Sequence, residues 1–153
     1  LFELRAEGKT HDDGLGAHSI HNSTIFLPYI DQVKARLEEI TGLELKYIYN
    51  YSRIYMAGDT LPRHRDRKEC EISATITLCK CDTCDLWPIY MTDHETDPIG
   101  EEFLIEEGDG VVYKGCDLYH WRKPYTGTWQ AQVFIHFVDV NGPYKDCEPE
   151  ETQ

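Results

Sequence analysis

The sequence has no apolar run that approaches the ~20 residues a membrane-spanning helix needs. Its longest pure stretches are a few residues, such as Val111 to Tyr113. That excludes a helical membrane protein. There is no internal repeat, no low-complexity segment and no linker, so the 153 residues read as one domain. Basic residues are scarce: 15 Lys and Arg against 28 Asp and Glu give a net charge of −13. Such a surface repels phosphate backbones and anionic lipid, which makes nucleic acid and membranes poor partners. Six cysteines are too few for a disulfide scaffold. No signal peptide is visible at the N-terminus. A reducing compartment follows as the expectation, the cytoplasm of a cell or of an infected host.

What is present argues for a real core. Three Trp, ten Tyr and five Phe are far too many for a disordered chain. A chain of this length buries roughly two-thirds of its unfolded surface. The domain is expected to span residues 1–153, with a core over about 25–144. Residues 1–24, polar and rich in Gly and His, read as an arm or loop. The acidic tail from Pro143 to Gln153 reads as loose.

One helix is indicated. Ile30, Val33, Leu37 and Ile40 recur at helical spacing, with Pro28 near the start, Asp31 in the first turn and Gly42 after the end. After Gly42 the chain reads as strands and turns. Leu43 to Met56 alternates, with Leu45, Tyr47, Tyr49, Tyr51, Arg53 and Tyr55 on one parity. Glu71 to Cys79 is rich in β-branched residues. Trp87 to Met91, Glu102 to Ile105, Gly110 to Lys114, Leu118 to Arg122 and Trp129 to Val140 follow, separated by Gly and Pro turns. About seven short strands after one helix suggest a mainly β fold with one or two flanking helices, a sandwich or jelly roll.

The informative residues are His64, Asp66 and the distant His120. On a strand, residues i and i+2 face the same way, so His64 and Asp66 can point at one spot. Two neutral imidazoles and one carboxylate make the 2-His-1-carboxylate facial triad of non-haem Fe(II) sites. Three ligands hold one face of an octahedral iron; the open positions take a bidentate cosubstrate and O₂. By itself, H-x-D plus another His is a common chance match in a chain with seven His.

The flanking sequence narrows it. Arg53 to Asp66, with its Ala57-Gly58-Asp59 turn, resembles the strand, glycine loop and H-x-D approach of Fe(II)/2-oxoglutarate dioxygenases, in their prolyl-4-hydroxylase-like branch. Glu107-Gly108-Asp109-Gly110 resembles the turn that leads towards the distal histidine. His120-Trp121-Arg122-Lys123-Pro124 and Trp129 to Asp139 resemble the distal histidine, its proline turn and the closing strand. The runs at Cys70 to Ser73, Trp87 to Tyr90 and Gln132 to His136 are similar to those of small stand-alone oxygenases of phage and marine bacteria. The resemblance covers about residues 43–144. It implies a double-stranded β-helix with the metal ligands His64, Asp66 and His120, and with Fe(II), 2-oxoglutarate and O₂ as cofactors; ascorbate is a further cofactor it allows. Decarboxylation of 2-oxoglutarate to succinate and CO₂ would be coupled to hydroxylation of an unactivated C–H. Peptidyl proline is the favoured substrate. A free amino acid or another small metabolite is the alternative. It also implies that the Tyr55 hydroxyl binds 2-oxoglutarate.

The pattern is broken at one point. The family places Arg or Lys on the closing strand about nine or ten residues after the distal histidine, where this chain has Trp129 and Gln130. The cosubstrate tail is a carboxylate and needs a cation inside the barrel. Arg122, two residues past His120, is the expected substitute, with Arg53 and Lys80 as further candidates and Gln130 as a hydrogen-bond partner. Gln130, Gln132, Phe134 and His136 form the inward set of the closing strand. His136, Arg65 and Thr77 are candidate pocket residues. His136 also reads as a core histidine or a rival metal ligand. The basic cluster from Arg63 to Lys68 is expected at the mouth.

Cys79, Cys81 and Cys84 carry a C-x-x-C that leaves three readings open: a structural zinc, a disulfide or redox switch, or an inert loop. Two rival functions stand beside the oxygenase. One is a cupin-like domain that holds or senses a metal without catalysis, which the absent closing-strand Arg favours. The other is a zinc-dependent interaction module at the cysteines. The expected partner is a peptide or small-molecule substrate, with the chain a monomer or homodimer.

Overall fold

The computed structural model describes residues 11–12 and 18–152. Ten strands are described: β1 (His11–Asp12), β2 (His18–His21), β3 (Leu45–Met56), β4 (Leu61–His64), β5 (Ile72–Lys80), β6 (Ile89–Thr92), β7 (Glu101–Phe103), β8 (Gly110–Tyr113), β9 (Tyr119–Arg122) and β10 (Trp129–Asp139). One α-helix, α1 (Leu27–Thr41), lies between β2 and β3. The strands form a six-stranded sheet, β1-β2-β3-β10-β5-β8, and a four-stranded sheet, β4-β9-β6-β7. The named strand pairs are antiparallel. This is the mainly β jelly roll the sequence pointed to.

Local chemistry sets the helix. Pro28 sits in its first turn, where its missing N–H costs nothing. Gly42 closes it at φ 71°, a left-handed conformation that favours glycine, and its N–H returns to Glu38 O at 2.9 Å. Asp31 falls beyond the first turn, which holds no acidic residue. Ile30 and Leu37 are buried with Phe26 against Leu45, Ile72, Ala74, Val133, Ile135 and Phe137 of the larger sheet. Ile40 is instead 54% exposed.

Alternation then divides each central strand into two faces. On β10, Val133 and Ile135 turn outward to α1, while Phe134 and His136 turn inward. β3 pairs with it so that Tyr49, Tyr51, Arg53 and Tyr55 stand opposite His136, Phe134, Gln132 and Gln130. The single-parity reading of β3 fails at its start. The register shifts between His136 and Phe137, leaving Ile48 unmatched between Tyr47 and Tyr49. A bulge of this kind flips the strand's facing, so Leu45 and Tyr47 pack with α1 and only Tyr49 onward faces inward.

Two segments expected to be loose are built in. Residues 18–21 form β2 on the edge of β3, and Asn22 N donates to Asn50 O at 2.6 Å. In the C-terminal segment Cys147 is buried beside Ile48, Tyr49, Cys70 and Val138. Glu150 N donates to Ile48 O at 2.9 Å, and its carboxylate bridges His21 and Arg67. The reading of residues 1–10 and 13–17 as an arm lies outside the described residues.

Candidate metal centre

β4 ends on His64, and its antiparallel pairing with β9 places His64 directly opposite His120. Asp66 lies two residues on, its N–H held by Gly115 O at 2.9 Å. His64 Nδ1 donates to the Pro62 carbonyl at 2.7 Å, and His120 Nδ1 donates to the Leu118 carbonyl at 3.1 Å. A carbonyl only accepts, so both Nδ1 atoms carry hydrogen and both Nε2 atoms are the ligand ends. Those Nε2 atoms lie 3.3 and 3.4 Å from Asp66 Oδ1. The ligand atoms of all three residues fall within 4.8 Å of one another.

The electrostatics ask for a cation. Burial disfavours a charge on His64, but its bonds to Asp66 and Pro62 prevail and raise its pKa above 6.5. Burial likewise opposes ionisation of Asp66, yet the His120 and His64 rings hold its carboxyl well below the ordinary range. Two Nε2 ends thus face one carboxylate oxygen, an arrangement that a divalent ion can bridge. Asp66 Oδ2 is buried and makes no hydrogen bond. Two imidazoles, one carboxylate and an orphaned oxygen fit a non-haem Fe(II) ion.

The centre opens on a cavity of about 560 Å³. The smaller sheet contributes Leu61, Pro62 and the histidine ligands; the larger contributes Tyr49, Tyr51, Arg53, Phe134 and His136. Tyr113 closes one wall, its ring 4.9 Å from that of His120. Asp66 is the one carboxylate among the described lining residues, against two guanidinium groups, Arg53 and Arg67.

Arg122 is 2% exposed, on the same face of β9 as His120, and with Tyr55 and Gln130 it is buried outside the residues that line this cavity. Its Nη1 donates to Trp87 O and its guanidinium lies 4.8 Å over the Trp87 ring. Nε and Nη2 have no partner. Burial without an acid lowers its pKa to about 10. Arg53 is 3% exposed and donates from Nη1 to the Tyr55 hydroxyl at 3.0 Å. Tyr55 is fully buried, edge-on to Trp87 at 4.8 Å. Gln130, 2% exposed, stands between Tyr55 and Lys80 in register. Lys80 is turned away, its Nζ donating to Cys84 O at 2.6 Å.

Three sequence expectations are corrected. Arg65 does not line the cavity: it points outward with Arg63, their guanidinium carbons 4.1 and 4.2 Å from the Tyr119 ring. Alternation requires this, since neighbours of His64 face the other way. Thr77 is a core bridge, accepting from Gln132 Nε2 at 2.8 Å and donating to Ile105 O at 3.3 Å. The zinc reading of Cys79, Cys81 and Cys84 gives way to a Cys81–Cys84 disulfide, which leaves Cys79 a free thiol. Of the basic cluster expected at the mouth, Arg67 lines the cavity; the sequence reading missed His21, Tyr49, Tyr51 and Tyr113 as cavity residues. The shared parity of Tyr49, Tyr51, Arg53 and Tyr55 was the available signal for two of them.

No family model matches the sequence, and no curated protein matches it. Solved structures do. A Pseudomonas putida prolyl-4-hydroxylase superposes with TM-score 0.67 at 19% identity over 90% of this chain and 81% of that one. A Burkholderia pseudomallei oxidoreductase of the 2OG-Fe(II) oxygenase family gives 0.66 at 12% identity, over 82% and 69%. HygX of Streptomyces hygroscopicus, solved with nickel, 2-oxoglutarate and hygromycin B, gives 0.66 at 11% identity, over 92% and 78%. The chain therefore has the jelly-roll fold of the Fe(II)/2-oxoglutarate oxygenases, with a His-Asp-His cluster facing into its cavity.

Proposed function

We propose that this chain is a non-haem Fe(II)- and 2-oxoglutarate-dependent oxygenase that hydroxylates an unactivated C–H bond. The observation that carries the reading is the convergence of two Nε2 ligand ends on Asp66 inside a cavity of this fold. His64, Asp66 and His120 would hold the iron. With 2-oxoglutarate and O₂ the iron would supply the oxidising power that inserts one oxygen atom into C–H. The protein's share is binding and exclusion of water. Arg122, with two undirected donors and no acid nearby, would take the cosubstrate tail carboxylate. Tyr55 and Arg53 would flank it, and Gln130 would support them. A buried guanidinium without a counter-ion costs several kcal/mol, so an anionic ligand is the expected relief.

The favoured substrate is peptidyl proline. Tyr49, Tyr51 and Phe134 offer flat apolar faces to a neutral ring, and among the described lining residues there is no acid besides Asp66 to bind a cation. The Pseudomonas prolyl-4-hydroxylase supports a peptide; HygX, with hygromycin B bound, keeps a small molecule as the second reading. A non-catalytic, metal-holding domain would have no use for a buried Arg122.

The test is anaerobic titration of the Fe(II)-loaded protein with 2-oxoglutarate, following the visible charge-transfer band of bidentate chelation. We expect a band that His120→Ala removes. Folded, metal-loaded protein without a band would overturn the oxygenase reading in favour of the binding domain. Mass spectrometry of proline peptides against free amino acids then separates the substrate classes.

A further inference from the structure

A second group of metal-ligating atoms lies against the same carboxylate. Asp66, Cys70 and His136 each offer one ligand atom, all within 4.8 Å of one another. Neither Cys70 nor His136 is used in the reading above. His136 Nδ1 lies 2.8 Å from Ser73 Oγ, and Ser73 Oγ donates its single hydrogen to Cys70 O at 3.0 Å. Ser73 must therefore accept from His136 Nδ1–H, which leaves Nε2 as an imidazole lone pair on a residue that lines the cavity. Cys70 Sγ lies 3.0 Å from the Tyr49 hydroxyl, a donor that can steady a thiolate. Asp66 Oδ2 is buried without a partner. An imidazole lone pair and a carboxylate are both acceptors and cannot hydrogen-bond to each other, so a cation bound between them would satisfy both.

We propose that Asp66, Cys70 and His136 form a second divalent-cation site for a soft, zinc-class ion, with Asp66 shared between it and the triad. Thiolate plus imidazole plus carboxylate is a zinc or cobalt donor set, whereas the triad's two imidazoles and carboxylate suit Fe(II). Binding deprotonates the Cys70 thiol, and the proton leaves to solvent. The ion would sit on the cavity wall between Tyr49 and the iron ligands, where substrate would pass, and so would act as a brake on the site. The inference rests on the triad reading for its first ion.

The probe is Co(II), titrated anaerobically into the metal-free full chain, with bound metal counted after desalting and the near-ultraviolet thiolate-to-cobalt band followed. We expect two ions per chain, the band appearing with the second. Cys70→Ser should abolish the band and the second ion while keeping the first; His136→Gln should weaken the second at least about tenfold, because it replaces an imidazole ligand with a weaker amide. Saturation at one ion without the band would overturn the site, as would a band that survives Cys70→Ser. A count that His120→Ala leaves unchanged would instead sink the triad reading.

Discussion

A methyl group on Gly115 would lie 2.5 Å from Asp66 Oδ2 and 2.4 Å from Cys70 O. The residue opposite the metal carboxylate thus has no room for a side chain. Gly115→Ala should cost about 1–3 kcal/mol of stability by overpacking and weaken Fe(II) binding by displacing Asp66. Thermal unfolding and a metal titration check both; unchanged Fe(II) affinity would show that the carboxylate does not move. Arg122→Gln should raise the 2-oxoglutarate Kd roughly 10–100-fold, since a charged hydrogen bond contributes about 1.5–3 kcal/mol. An unchanged Kd would transfer the role to Arg53. His64 and Asp66 could be read from the sequence because i, i+2 spacing on an extended chain places two side chains together. Tyr113 and His21 could not, because only long-range pairing brings them to one cavity.

Strand alternation predicted the inward face of β10 and most of β3, because one face of each packs on α1 and the other on the cavity. It failed at Leu45 and Tyr47, where a bulge leaves no mark in composition. The C-terminal segment was misjudged for a related reason. Its acidity suggested solvent, but Glu150 is the acid that His21 and Arg67 require. Burial opposes ionisation of Glu150, but these partners prevail and lower its pKa below 4.5. A lowered folded pKa means the bridge stabilises above pH 4.5 and is lost as pH falls through the folded value. The wild type should therefore melt higher than Glu150→Gln at neutral pH, with the gap closing in acid. A gap independent of pH would mean that the bridge contributes nothing. The Cys81–Cys84 disulfide fastens another turn: Cys84 Sγ accepts from Thr128 N at 3.1 Å, just before β10.

The whole molecule carries a charge of −13, yet its cavity presents Arg53 and Arg67 against one lining carboxylate. On the proposed function, a dianionic cosubstrate would approach against the long-range field and be held by the short-range one. Salt screens the first far more than the second, with a Debye length of about 8 Å at physiological ionic strength. The association rate of 2-oxoglutarate should therefore rise with added salt; stopped-flow mixing across ionic strengths measures it. A rate that falls would show that the arginines, not the net charge, govern entry. The overall architecture was readable because helix, turns and strands are each locally consistent; the division into two sheets, with β10 between β3 and β5, was not visible in local pattern.

That placement of β10 bears on how the chain is made. β3, the longest strand, finds its main partner only in the last strand. At about 5–20 residues per second, the 72 residues between them take about 4–14 s to be synthesised. During that interval the apolar face of β3 and α1 has no sheet to complete it. His120 is likewise still unmade for most of it, so the His-Asp-His cluster cannot yet form on the nascent chain. The larger sheet closes, and the metal pocket with it, only after nearly the whole sequence has been translated.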